Sequence, residues 1–273
     1  MKRILSCLLA VLMIAAVFAG CSSETSTETP NDPAQEATTF TVGFDAAFPP
    51  YGYMDDNGEY VGFDLDLAAE VAKRNNWELV LKPIDWNAKD MQLDSGAIDC
   101  IWNGFTINGR EDSYTWSMPY VDNSQVIVVK SDSGIATLAD LADKIVIVQT
   151  ESSAEAALTS TEDNDENLAL AATFKKLDSV PDYNTAFMKL ESGAAQAIAM
   201  DVGVANYQVA SRGTAFTILE ETISEEQYGV GFKLGNTDLR DKVEATLNEM
   251  VADGTFTATA EKWGLTDSVC LGE

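Results

Sequence analysis

Histidine is absent from all 273 residues. That excludes Ser-His-Asp and Cys-His nucleophilic catalysis, and every metal site built on imidazole. Positive charge is scarce: 17 lysines and arginines stand against 44 aspartates and glutamates, a net charge of −27. So acidic a surface repels nucleic acid and anionic lipid headgroups, so no nucleic-acid partner is expected. Cysteine occurs four times, at Cys7, Cys21, Cys100 and Cys270. Only one long apolar run exists, ILSCLLAVLMIAAVFA at 4–19. It falls short of the ~20 residues a helix needs to cross a bilayer, so the chain does not read as a transmembrane receptor.

That run follows Met-Lys-Arg, and the small residues Ala19 and Gly20 precede Cys21. A positive start, an apolar core and small residues together predict a secretory signal over 1–20. The tetrad F-A-G-C resembles the lipobox of bacterial lipoproteins, which implies cleavage before Cys21 and a diacylglycerol on its thiol. A plain secreted protein is the alternative. SSETSTETPNDPAQEATT, residues 22–39, has no apolar residue larger than alanine and cannot bury enough surface to fold. As a flexible chain it spans on the order of 25 Å. Residues 21–39 therefore read as lipid attachment and tether, with the membrane met through the lipid anchor only. Outside the cytoplasm Cys100 and Cys270 could pair, or remain two separate buried thiols.

From residue 40 strand and helix signals alternate. FTVGFD (40–45) is a strand ending on Asp45, and AFPPYGY breaks it. EYVGFDLDLAAEVAKRNN gives a strand, a glycine turn and a helix. Asp64 is placed to cap that helix, with Leu65, Leu67, Ala68, Val71 and Ala72 on its apolar side. WELVLKPI (77–84) is a strand, and KDMQLDSGAIDCIWNG (89–104) a helix, a stop and a strand at 98–102. This βαβαβ order implies an α/β fold with a parallel sheet covered by helices. Ligands of such sheets bind at the carboxyl ends of the strands, where Asp45 and Asn103 fall. A second unit follows: SQVIVVK (124–130), a short helix at TLADLAD, KIVIVQT (144–150), a helix opened by SSAEAAL, NTAFMKLESG (184–193), and AAQAIAMD (194–201) ending on Asp201. YGVGFKLG (228–235) then reads as a strand and DLRDKVEATLNEMVADG (238–254) as a long amphipathic helix. LTSTEDNDENL (158–168) is an exposed loop or frayed helix.

GFDLDLAAEVAKRN (62–75) resembles the signature of family 3 solute-binding proteins, the amino-acid-binding components of ABC importers. The signature asks for glycine, aromatic, acid, aliphatic, acid and aliphatic at fixed spacing. VGFD (42–45), SGAIDCIWNGFT (95–106), Arg110 with W-S-x-P-Y ending at Tyr120, VQTESSAEAAL (148–158), ESGAAQAIAMD (191–201), YGVGFKLGNTDLR (228–240) and ADGTFTATAEKWG (252–264) agree in order. The resemblance implies a type II periplasmic-binding-protein-like fold: two α/β lobes joined by two hinge strands, with ligand in the cleft. It places lobe one at 40–128 plus 230–273, lobe two at 132–226, and hinges near 128–131 and 227–230.

It also implies roles. Arg110 holds a ligand carboxylate through two parallel hydrogen bonds, which lysine cannot supply; the alternative is a surface arginine paired with Glu111 or Asp112. Ser152 and Ser153 complete the carboxylate site at a helix start, where free amides attract anions, or simply cap the helix. Asp201, the Gly104 carbonyl and the Thr106 hydroxyl receive the ammonium, unless Asp201 caps the next helix. Phe48 and Trp86 sandwich the ligand side chain, unless they are core. Tyr51, Asp45, Asn103 and Gln149 meet that side chain as well, Asp45 favouring one that donates hydrogen bonds. Glu151 stands where the family usually has glycine. The implied function is a monomeric, extracytoplasmic, membrane-anchored binding protein, without cofactor or metal and not an enzyme. It would deliver a polar L-amino acid to an ABC permease and its ATPase. Two other readings are a dehydratase-like enzyme using a cleft carboxyl as acid or base, and a ligand-sensing lipoprotein.

Overall fold

A computed structural model describes residues 38–161 and 165–272. The expected signal and Cys21 lie outside the described residues, as does the tether apart from Thr38 and Thr39, which open the first strand. Chain order explains the architecture. β1 (Thr38–Phe44) is followed by a small antiparallel flap of β2 (Ala47–Phe48), β3 (Gly52–Met54) and β4 (Tyr60–Val61). Helix α1 (Phe63–Arg74) returns the chain to β5 (Trp77–Pro83), parallel to β1 from Thr38↔Trp77 to Phe44↔Pro83. Helix α2 (Lys89–Asp94) leads to β6 (Cys100–Ile101), parallel on the other side of β1. β7 (Thr115–Trp116) closes this half.

The second half opens with β8 (Val121–Lys130). β9 (Ile145–Gln149), α3 (Ser153–Thr159), α4 (Asp165–Thr173), β10 (Lys176–Val180), α5 (Tyr183–Glu191), β11 (Ala197–Asp201), α6 (Val202–Ser211) and β12 (Phe216–Tyr228) follow. β13 (Gly231–Phe232) rejoins the first sheet, and α7 (Thr237–Ala252) and α8 (Thr255–Trp263) pack beside α1. The strand orders are β5-β1-β6-β13-β7 and β10-β9-β11-β8-β12. The chain thus passes between the sheets twice, between Trp116 and Val121 and between Tyr228 and Gly231. Residues 121–130 pair within the second sheet.

The apolar pattern decides these elements. β9 is IVIV, buried at Val146, Ile147 and Val148, as a central parallel strand covered on both faces must be. In α1, Phe63, Leu67, Ala68, Val71 and Ala72 form the buried stripe that packs toward β5 and α8. One apolar cluster joins Phe40, Val42 and Leu67 to Ile147, Ile198 and Met200.

Several expectations need correction. The helix at TLADLAD is one 3₁₀ turn, Leu138–Leu141, closed by a Thr137–Asp140 capping box. Of the strand at 228–235 only Gly231 and Phe232 form a ladder, because Tyr228 ends β12 instead. Asp64 does not cap α1; Gly62 stands at that position without a side-chain cap. Cys100 and Cys270 form no disulfide: Cys100 is enclosed in the core cluster, while Cys270 is half-buried with its amide donating to the Tyr120 carbonyl.

Candidate functional site

The carboxyl ends of β6, β9 and β11 converge on a small cavity of ≈ 20 Å³, about the room of one water. Its walls are Phe48, Trp86, Asn103, Gly104, Phe105, Thr106, Arg110, Gln149, Ser152, Ser153 and Asp201. Of the expected ligand residues, only Asp45 and Tyr51 stand off the cavity. A larger crevice of ≈ 670 Å³ opens at its rim between Lys89, Arg110, Glu151 and Lys233. The smaller space is where aromatic walls and charge of both signs meet.

Arg110 follows a tight turn in which its amide donates to the Ile107 carbonyl at 2.9 Å and Gly109 supplies φ +76°. Its guanidinium spans the cleft. Nη1 donates to Ser153 Oγ at 2.9 Å and to the Thr106 carbonyl at 3.3 Å, and Nη2 donates to the Glu151 carbonyl at 3.1 Å. The Phe105 ring lies 5.3 Å below it. Arg110 thus faces the second lobe, and none of these bonds goes to Glu111 or Asp112. The two serines divide their expected tasks. Ser152 Oγ caps α3 by accepting from the Glu155 amide at 3.1 Å, and Ser153 meets Arg110.

Asp45 is buried and turned aside. Its Oδ2 accepts from Gln149 Nε2 at 2.7 Å, and its amide donates to Asn103 Oδ1 at 2.8 Å. Burial pushes its carboxyl above the usual range. Tyr51 forms a layer behind Phe48, with ring centroids 5.9 Å apart and the Tyr228 ring 5.2 Å away. Trp86 donates Nε1–H to the Glu151 carbonyl at 3.3 Å and meets Phe105 edge-on at 5.3 Å.

Gly104 has φ +54°, and a Cβ there would come within 2.8 Å of Phe48. Both the backbone and the aromatic wall therefore require glycine. Its amide donates to Asp64 Oδ2 at 2.6 Å, which is the task Asp64 performs in place of capping. Asp64 is wholly buried, and burial pushes it up to about 7.

Asp201 sits where a cap for α6 would, yet makes no side-chain cap. Its Oδ1 accepts from Tyr228 Oη at 2.7 Å, Gln125 Nε2 at 2.8 Å and Asn123 Nδ2 at 3.0 Å; its Oδ2 accepts from Tyr183 Oη at 3.2 Å. Glu226 stands behind it. Its Oε1 accepts from Asn123 Nδ2 at 2.7 Å, Gln125 Nε2 at 2.8 Å and Thr106 Oγ1 at 2.9 Å. The Thr106 hydroxyl is therefore already engaged. Burial pushes both acids up, Glu226 to about 7 with Asp201 adding to the effect. Two oxygens that share amide nitrogens stand within about 6 Å of each other. At an effective dielectric of about 20, two unit charges that close repel by ~3 kcal/mol, roughly two pH units.

Sequence reading missed Phe105, Asn123, Gln125, Tyr183, Glu226 and Tyr228. The signal for four of them is the alternation N-x-Q in β8 and E-x-Y in β12. Taken alone it reads as a solvent face, and only the pairing of the two strands turns it toward Asp201. A last bridge closes the rim: Lys89 Nζ pairs with Glu151 Oε2 at 2.6 Å, and Glu151 holds φ +58°. Among the described residues no cluster of His, Cys, Asp and Glu is placed to hold a metal ion.

Two α/β lobes meeting over a small cavity at strand ends, with a guanidinium and a carboxylate on its walls, define a cleft-binding protein of the type II periplasmic-binding fold. The chain belongs to the bacterial extracellular solute-binding proteins, family 3, whose model matches residues 40–266. It is 30% identical over 256 residues to the L-cystine-binding protein TcyJ of Escherichia coli, covering 92% of each chain. A solved ancestral arginine-binding protein bound to arginine is 36% identical with a TM-score of 0.75, covering 84% of this chain and 99% of its own. A solved ancestral amino acid-binding protein, a precursor of cyclohexadienyl dehydratase, is 30% identical with a TM-score of 0.73, covering 82% and 95%. The chain is thus an extracellular solute-binding protein whose relatives bind amino acids.

Proposed function

We propose that the chain captures a polar L-amino acid in the interlobe cavity and delivers it to the permease of an ABC importer and its ATPase. The observation that carries this reading is that one cavity between the lobes has both the Arg110 guanidinium and the Asp201 carboxylate on its walls. That charge pattern complements a zwitterion. Arg110 and Ser153 take the carboxylate, with Ser152 holding the start of α3 in place. Asp201 and the Gly104 carbonyl take the ammonium. Phe48 and Trp86 flank the side chain, and Asn103 and Gln149 read its polar end. Asp45 and Tyr51 act from behind, Asp45 by orienting Gln149. The lobes hinge where the chain passes between the sheets.

The names of the relatives make L-cystine and L-arginine the first ligands to try. The segment 1–20 acts as the signal, Cys21 carries the lipid, and the following residues tether a monomer outside the cytoplasm. A dehydratase-like reaction would need an acid facing its substrate; of the four buried acids with raised pKa among the described residues, only Asp201 lines the cavity, and it is held by four donors. The protein accordingly binds without turnover.

Titration calorimetry against the common L-amino acids and L-cystine tests the reading. Tight binding of one or two polar amino acids is expected, strongly weakened in Arg110→Ala and in Asp201→Ala. Unaltered affinity in either variant overturns the assignment. Loss of metabolic palmitate labelling in Cys21→Ala tests the anchor.

A further inference from the structure

The cluster behind Asp201 has many acceptors and no cation. Asn123 and Gln125 each divide one amide nitrogen between Asp201 Oδ1 and Glu226 Oε1. Their own carbonyl oxygens are buried without a partner. The groups facing the pair are Tyr183 from α5, Tyr228 from β12, Thr106 beyond β6, and Tyr51 from the flap, which also feels Asp64 of α1. All are neutral or acidic. Arg110, the cation on the same cavity, directs its hydrogen bonds to Ser153 and to the Thr106 and Glu151 carbonyls. Two carboxylates so close and so buried resist double ionisation unless a positive charge joins them.

We propose that Asp201 and Glu226 share one proton while the cavity holds no cation, and that the ammonium of an arriving amino acid expels it. This rests on the assignment of the ammonium to Asp201 made above. The carboxyl O–H bond breaks heterolytically, the proton leaves to water or buffer, and the ammonium keeps its three hydrogens. The pair goes from one negative charge to two as one positive charge enters. Glu226 is then a positioning residue that tunes Asp201 without touching the ligand. Burial and Asp201 push Glu226 to about 7, which puts the exchange near neutral pH. Binding should release about half a proton at pH 7 and close to one at about pH 6, and affinity should weaken up to tenfold for each further pH unit of acidification.

A thermal-shift panel of the common L-amino acids and L-cystine on the full chain first selects the strongest binder as titrant. Calorimetry with that amino acid at about pH 6, in buffers of different ionisation enthalpy, then counts protons. Release of nearly one proton, with a matching pH slope in affinity, is expected. In Glu226→Gln, Asp201 keeps only the rise that its own burial gives, so the proton count falls and the slope flattens, whatever the absolute affinity. Tight binding without proton release overturns the inference and leaves the amino-acid-binding reading intact. Proton release undiminished in Glu226→Gln overturns it as well. Binding of none of the panel overturns both. The wild-type proton count decides the matter even if the variant fails to fold.

Discussion

The acids on the outer surface and the acids around the cleft are the same residue types in opposite states. On the surface, hydrogen bonds from Lys73 and Arg74 hold Glu70 below its usual range, Lys176 and Lys189 do the same for Asp178, and Arg74 takes Asp253 down to about 2. Around the cleft, burial drives Asp45, Asp64, Asp201 and Glu226 upward, and no lysine or arginine opposes it. The net charge of −27 is therefore mostly a solubility property of the exterior. The few acids withdrawn from water are the ones poised to respond to a cation. Composition reports the first group and hides the second.

The largest effect that would break this contrast is expected at Arg110. Arg110→Ala should weaken amino-acid binding by about a hundredfold, ~3 kcal/mol, since charge-assisted hydrogen bonds in a closed cleft are the strong ones. Calorimetry reads it, and a change under threefold would show that the cation on the cavity does no more than a surface one.

Glu226 tests the cleft side through stability. Its folded pKa, about 7, lies above the unfolded value near 4.5, so between those pH values the folded state binds the extra proton. Stability from this group is highest below about pH 4.5 and is lost as pH rises through 7. Glu226→Gln should therefore raise the stability of the ligand-free protein at pH 8 by about 3 kcal/mol and change it little at pH 4. Urea unfolding at both pH values gives the comparison, and an equal effect at both would remove the titration argument.

Between the two regions lies Glu151, half-exposed yet paired with the buried Lys89 across the rim. Glu151→Gln keeps the backbone and removes the charge. It should speed ligand release several-fold, ~1 kcal/mol, discounted for the solvent around Glu151. Stopped-flow dissociation measures this, and an unchanged rate would place the pair with the surface ion pairs. The smallest effect belongs to those. Asp178→Asn should cost no more than a few tenths of a kcal/mol in urea unfolding, because its partners are largely solvated. A loss above 1 kcal/mol would blur the distinction between surface and cleft.

The sequence by itself determined what depends on neighbours along the chain. Period-two and period-3.6 apolar patterns specify β1, α1, β9 and α7, and the glycine–acid signature at 62–75 specifies the family. Strand-end positions single out Asn103 and Asp201, because a strand's carboxyl end is visible in the local pattern. Tertiary structure alone decided which polar groups meet. Asp64 looked like a cap for its own helix, but it holds the amide of Gly104, 40 residues on. Glu226 carried no signal of its own along the chain, and it accepts from Thr106 across 120 residues and faces Asp201. Asp45 is marked by its place after a strand, but that its carboxylate accepts from Gln149 of the other lobe is set by the fold alone. Local periodicity says which face of an element is buried. It carries no record of the register between distant strands, and that register sets both the partner and the charge state of a buried acid.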